Sequence, residues 1–345
     1  MSFPFNLYLL AFAAAFCAAL LALPVWRKWC KRIGLVDDPG HRKIHHEPTP
    51  LAGGLTVLTA LVLSALGGVA LVYLSSHSLL SVAQSSLQDS LSTTKTMLDL
   101  ETADLLQYGL HRRAGQLLVI FLGAAAMFFL GWLDDKLELK PAVKFTGQFL
   151  IAAVVAASGI RITLFVPSSA FSYAVTILWI LTVTNAFNFM DNMNGLCAGL
   201  GAVCSWQFAL SAALQGQYLV ATLALMTCGA LLGFLPYNFP KASAFLGDSG
   251  SHLVGFLLAV LAILPHFYSR EQRNVWAVLT PLAILAVPLA DLVWVVMLRW
   301  RIGQPFYMGD TNHLSHRFVR SGLSRTLAVE VIWLIAAAIG SAALF

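Results

Sequence analysis

Apolar runs long enough to cross a bilayer recur along this chain, from LYLLAFAAAFCAALLALPVW near its start to VIWLIAAAIGSAALF at its close. A helix rises 1.5 Å per residue, so about 20 such residues cross roughly 30 Å of hydrocarbon, and a helix satisfies its own backbone there. Composition agrees: 59% of the residues are hydrophobic and 11% charged, against about 25% charged in soluble domains. Spans are expected near 6–26, 51–74, 115–133, 142–158, 173–190, 196–214, 217–236, 249–268, 274–298 and 326–345. The fold class that follows is all-α: a polytopic integral membrane protein of about ten transmembrane helices, both termini outside, with residues 1–345 forming a single transmembrane domain.

Charge sets the orientation. The first span has no basic residue before it and is followed at once by Arg27, Lys28, Lys31 and Arg32, the reverse of a signal peptide's charged front end. Most of the 21 Lys and Arg residues fall in the odd-numbered loops between spans, which places those loops in the cytoplasm. The net charge of +5 is explained by this bias, so the expected surroundings are membrane lipid, with no nucleic-acid partner. The five cysteines show no metal-ligand spacing and read as buried free thiols. Residues 75–114, rich in Ser, Thr and Gln, stand apart as an external polar insertion, amphipathic and helical.

The chemistry-bearing residues all belong to the odd loops: DDPGHRKIHHEPTPLAGG, GWLDDKLELKPAVKFTGQ, NAFNFMDNMNGL, PYNFPKASAFLGDSGSH and GDTNHLSHRFVR. Taken singly, each has a plain reading. Asp134 and Asp135 could be solvated charges at a span end, Asp248 a helix cap, Asp191 with its Asn neighbours a turn, and the histidines loop residues. Together they put four acidic motifs, amides and basic groups on one membrane face, where ionisable residues point to function. Carboxylates with water and polyphosphate hold Mg²⁺, while Lys, Arg and His suit phosphate oxygens. Two phosphates brought to about 4 Å repel by roughly 4 kcal/mol per pair of unit charges at an effective dielectric of 20. A divalent ion and basic side chains offset that repulsion, so a Mg²⁺-dependent phosphate reaction at a bilayer surface is expected.

The ordered set RKIHHEPTPLAGG, GWLDDKLELKPAVKFTGQ, NAFNFMDNMNGL, NFPKASAFLGDSGS and GDTNHLSHR resembles the polyprenyl-phosphate N-acetylhexosamine-1-phosphate transferases, in their undecaprenyl-phosphate GlcNAc-1-phosphate branch of glycosyltransferase family 4. The match spans nearly the whole chain apart from 75–114. The resemblance implies transfer of a sugar 1-phosphate from a UDP-N-acetylhexosamine to undecaprenyl phosphate, releasing UMP, at the cytoplasmic face of the inner (plasma) membrane. It implies Mg²⁺, with Mn²⁺ as a substitute, held by Asp248, Asp134 and Asp191. Asp134, Asp135, His313 and His316 take catalytic roles by the same resemblance. Arg42, Lys43, His45, Lys144, Asn185, Asn188, Asp191, Asn194, Asn238 and Arg317 take substrate-binding ones, and a homodimer is compatible with it. Direct attack by the lipid phosphate is preferred to a phospho-enzyme, because a phosphate monoester is already largely ionised near neutral pH.

Three departures stand out. The middle His of the family's HxHHR signature is Ser315, and its DGxDG reads DNMNG here, with Asn192 and Asn194 replacing Gly and Asp. Asn192 fits a left-handed position if the turn needs one, and Asn194 can still accept a hydrogen bond. Glu138 stands where the muramyl-pentapeptide branch carries Lys, which favours a UDP-GlcNAc-type donor. Asp291, inside the ninth span, is read as a buried structural hydrogen bond, too far along its helix from Arg299 to pair with it. The rival readings are a transporter or lipid flippase, and a catalytically impaired relative with a binding role.

Overall fold

The computed structural model describes residues 5–38, 47–76, 100–163, 166–265 and 278–344. Its helices are α1 (Phe5–Ile33), α2 (Gly53–Ser76), α3 (Leu100–Leu137), α4 (Pro141–Ala157), α5 (Ser169–Met190), α6 (Leu196–Leu214), α7 (Tyr218–Phe234), α8 (Gly247–Leu261), α9 (Thr280–Ile284), α10 (Ala286–Arg301), α11 (Leu314–Arg320) and α12 (Arg325–Ala342). Two short antiparallel strands, β1 (Val36–Asp37) and β2 (Thr49–Pro50), pair Val36 with Pro50 and Asp37 with Thr49. Among the described residues, seven helices are long and apolar enough to cross a membrane, and α4 and α8 are shorter apolar ones. The chain is therefore an all-α, multi-pass membrane protein. The expected ninth span is interrupted: α9 ends at Ile284 and α10 starts at Ala286, in a segment carrying Pro281 and Pro288. In the expected insertion, 77–99 lies outside the described residues, and 100–114 runs unbroken into the helix that ends at Leu137.

Helix boundaries follow local chemistry. Ser168 and Ser324 cap α5 and α12 by accepting from the amides of Phe171 and Leu327, and Pro141 opens α4 where its missing N–H costs nothing. The centre of the bundle is α6, α7 and α8. In α6 and α7, 83% and 72% of the apolar window is buried, against 17% for α1, so α1 turns most of its surface outward and α6 does not. Close approach there depends on small residues: a Cβ on Gly229 or Gly233 of α7 would run into the carbonyl oxygens of Phe12 and Phe16 on α1.

The same device builds the polar end of the bundle. A Cβ on Gly131 of α3 would overlap the Asp248 carbonyl, and one on Gly54 of α2 would sit 2.7 Å from the Gly250 nitrogen. Backbone bonds from Gly53 and Gly54 to the carbonyls of Phe245 and Leu246, and from Phe245 to Pro50, tie the strand pair and the start of α2 to the start of α8. The C-terminal ends of α3 and α5 and the N-terminal ends of α4 and α8 thus meet in one place.

Candidate active site

Asp135, near the end of α3, turns both carboxylate oxygens to the first turn of α8. Oδ1 accepts from the Asp248 amide at 2.8 Å and Oδ2 from the Ser249 amide at 3.0 Å. These N–H groups have no partner within their own helix, so Asp135 caps α8 from a different helix and its charge meets the positive end of the helix dipole. Asp248 is thereby relieved of capping, the plain reading its position suggested, and its side chain faces the site. Asn188 of α5 donates to Asp248 Oδ1 at 2.7 Å and to Ser251 Oγ at 3.0 Å.

Lys144, one turn into α4, stands between the acids. Its Nζ lies 2.6 Å from Asp134 Oδ2, 2.9 Å from Asp248 Oδ2 and 3.4 Å from Asn188 Oδ1. Asp134 also accepts from the Leu139 amide, which fixes the turn between α3 and α4. Its side chain is 9% exposed, so the adjacent aspartates are not simply solvated charges. Asp191 follows the last residue of α5 and is close enough to feel the same charges. Burial, then the Asp248 and Asp135 carboxylates, push its carboxyl well above the usual range despite a hydrogen bond from the Gly247 backbone; Asp37 adds to the push.

Three oxygens of different residues therefore converge on one ammonium, two of them from the Asp134 and Asp248 carboxylates, while the Asp135 and Asp191 carboxyls lie close to Asp248. This excess of hard oxygen donors suits Mg²⁺. Among the described residues, no three His, Cys, Asp or Glu side chains stand close enough to chelate an ion alone, so phosphate oxygens and water would complete its shell.

A second cluster adjoins the first across the end of α5. His313 Nδ1 lies 2.6 Å from Asp291 Oδ2, and the Leu314 amide donates to Asp291 Oδ1, also at 2.6 Å. The His313 ring meets the Phe189 ring edge-on at 5.6 Å, and the Arg299 guanidinium covers Phe189 at 4.9 Å. Arg299 is anchored by Asp310 at 2.8 Å and by the Phe306 carbonyl. Desolvation works against the charged form of Asp310, but the Arg299 bond outweighs it and holds that carboxyl below its ordinary range. His316 is half-buried; burial, then the neighbouring His313 and the guanidinium charges of Arg320 and Arg325, lower it and favour the neutral ring. Arg317 is exposed, its guanidinium 4.6 Å over the Trp294 ring of α10.

Asp134, Asp135, Lys144, Asn188, Asp191 and Asp248 thus form one centre, with His313 beside it. Other expected residues take different places. Asn185 lies a turn before Asn188 and binds Gln148 and the Leu181 carbonyl. Asn238 is a buried brace: its oxygen accepts from Gly195 and its nitrogen donates to the Ala244 carbonyl. Asn194 is exposed and donates to the Pro240 carbonyl at 3.2 Å. Arg42, Lys43 and His45 lie outside the described residues. Asn192 does not need a left-handed backbone, since among the described residues Glu138 alone of the non-glycines has positive φ. Its amide oxygen instead accepts from buried Ser315 at 2.6 Å, so two of the departures bind each other.

Sequence reading missed the pairing of Asp291 with His313, the carboxylate of Asp37 near Asp191, and His252. The last is fully buried one turn beyond Asp248, with Nδ1 2.6 Å from the Asp248 carbonyl and Nε2 without a partner. An acid inside an apolar run was the available signal for Asp291; His252 closes the GDSGSH stretch, four residues after Asp248.

Comparison with known proteins places this site in context. Residues 117–266, which hold both the paired aspartates and Asp248, match glycosyl transferase family 4. The chain is 31% identical over 357 residues to the decaprenyl-phosphate N-acetylglucosaminephosphotransferase of Mycobacterium tuberculosis, covering 95% of this chain and 80% of that protein. It is 29% identical to the probable undecaprenyl-phosphate N-acetylglucosaminyl 1-phosphate transferase of Bacillus subtilis, covering 94% and 81%. It is 26% identical to the undecaprenyl-phosphate alpha-N-acetylglucosaminyl 1-phosphate transferase of Escherichia coli K12, covering 91% and 77%.

Proposed function

This chain belongs to glycosyl transferase family 4, and from that premise we propose that it transfers N-acetylglucosamine 1-phosphate from UDP-GlcNAc to a polyprenyl phosphate in the membrane, undecaprenyl phosphate in particular, with release of UMP. The observation that carries the reading is Lys144 bridging Asp134 and Asp248 beside Asn188, where four helix ends meet. A cytosolic nucleotide sugar and a lipid phosphate can meet only at a bilayer surface, and a charged centre at helix ends lies at that depth. A transporter would be expected to place its charges near the bilayer midplane, between broken helices.

Asp248, with Asp134 and Asp191, would hold Mg²⁺, which when bound supplies positive charge to the phosphates and to the departing UMP. Asp135 keeps α8 in register with α3 and so fixes where the Asp248 carboxylate points. Lys144 can exchange a carboxylate for a phosphate oxygen as substrate enters, and Asn188 keeps Asp248 from following it. His313, and His316 three residues further along α11, would contact phosphate oxygens. The lipid phosphate needs positioning more than deprotonation, so direct attack on the donor phosphorus, with UMP leaving, requires no covalent enzyme intermediate. Ten crossings, both termini outside and the centre on the cytoplasmic face complete the proposal.

The test is UMP release from membranes supplied with UDP-GlcNAc, undecaprenyl phosphate and Mg²⁺. Wild type should release UMP only with lipid and metal present, and Asp248→Asn should lose at least about 100-fold. Full activity in Asp248→Asn, or no release from wild type with any UDP-N-acetylhexosamine, overturns it.

A further inference from the structure

The Asp291–His313 pair is the one buried acid–imidazole contact among the described residues that the acid centre does not use. Both Asp291 oxygens are committed, one to the ring and one to the Leu314 amide that opens α11. The two groups are 4% and 5% exposed, so water does not compete for the bond. A carboxylate accepts hydrogen bonds and cannot give them, so the proton between the two atoms belongs to His313 Nδ1. The other nitrogen, Nε2, has no hydrogen bond among the described residues, yet it is not one of the sealed, unsatisfied polar atoms. Phe189 fixes the ring from its side, backed by Arg299, and the residue before Phe189 is Asn188, which holds Asp248. The ring is therefore locked beside the acid centre with one nitrogen occupied and one available.

We propose that Asp291 is a positioning residue for the transfer, acting through His313: it holds the proton on Nδ1 and the ring in place, so that Nε2 is the nitrogen offered to a substrate phosphate. This rests on the transferase reading above. When Nε2 carries a proton it donates to a phosphate oxygen, and the Asp291 charge stabilises the imidazolium so formed. A merely structural acid would need only to cap α11, which the neutral amide of asparagine can also do. Asp291→Asn separates the two roles, because its oxygen still accepts from Leu314 while its –NH₂ donates to Nδ1 and drives the proton to Nε2.

Two readouts test this on the full-length protein. In ¹⁵N spectra of histidine-labelled protein, the neutral His313 signal should be the Nδ1–H tautomer in wild type and the Nε2–H tautomer in Asp291→Asn, with His313→Gln giving the assignment. In UMP release, Asp291→Asn should lower kcat about 10- to 100-fold with KM changed by less than about 3-fold. In a His313→Gln background the same change should cost under about 2-fold, because the group it acts through is gone. An unchanged tautomer, or an equal kcat loss in both backgrounds, overturns the positioning role while leaving the transferase reading intact. Absence of turnover in wild type sinks the transferase reading, and the tautomer readout then still decides whether Asp291 sets the ring.

Discussion

Single residues in this protein carry effects that their neighbours in sequence do not announce. Asp191 illustrates the electrostatic case. Burial and the surrounding carboxylates raise its folded-state pKa above the unfolded value, so the folded protein retains a proton that the unfolded chain has already lost. Between the ordinary Asp range and that raised value, unfolding releases a proton, and stability falls as pH rises. Metal-free protein should therefore lose stability through this group as pH rises above the ordinary Asp range, and Asp191→Asn should flatten that slope in thermal unfolding. An identical slope in the variant would show that Asp191 is ionised in the folded state. Ser315 and Asn192 give the hydrogen-bond case. Ser315→Ala removes the donor and should cost about 1 kcal/mol. Asn192→Ala also removes its own bond to the Phe189 carbonyl, so it should cost less in the Ser315→Ala background than in wild type without costing nothing, and full additivity of the two losses would mean that the Ser315 bond contributes nothing.

At the scale of the element, the site depends on how α3 meets α8. Gly131 lets the two backbones touch beneath Asp248, and Asp135 caps the helix that Gly131 admits. Gly131→Ala places a methyl against backbone, which cannot swing aside as a side chain would. The expected cost is about 1–3 kcal/mol in stability and a loss of turnover well beyond what that destabilisation explains. Wild-type kcat in Gly131→Ala would show that α8 tolerates the displacement. Asp135→Ala should destabilise by about 0.5–2 kcal/mol, the range for a lost cap. The GDSG stretch looked in sequence like a helix start with its own Asp cap. The partner that caps it is 113 residues away, beyond the reach of any local rule.

For the whole molecule, every group of the acid centre lies at one end of the bundle, which requires the helices to alternate in direction. In a cysteine-free background, Lys241→Cys at that end should react with an impermeant thiol reagent only in inside-out vesicles. Ser158→Cys, exposed after the far end of α4, should react only in right-side-out ones. The reverse pattern would put the site outside. The sequence by itself determined the solvent and the class of fold, because apolar runs of bilayer length leave only helices. It also put the loops that carry Asp134, Asp135, Asp191 and Asp248 on one face, and the family resemblance added Lys144 and Asn188 to them. What only the tertiary structure decided is which of these groups touch and which are already engaged. Asp135 is taken up by a helix end, Asn238 by two backbone groups, and Asp291 by an imidazole 22 residues away. Hydrogen bonds form within about 3 Å, and the chain separation between such partners is set by the packing of helices, which no pattern within one helix encodes.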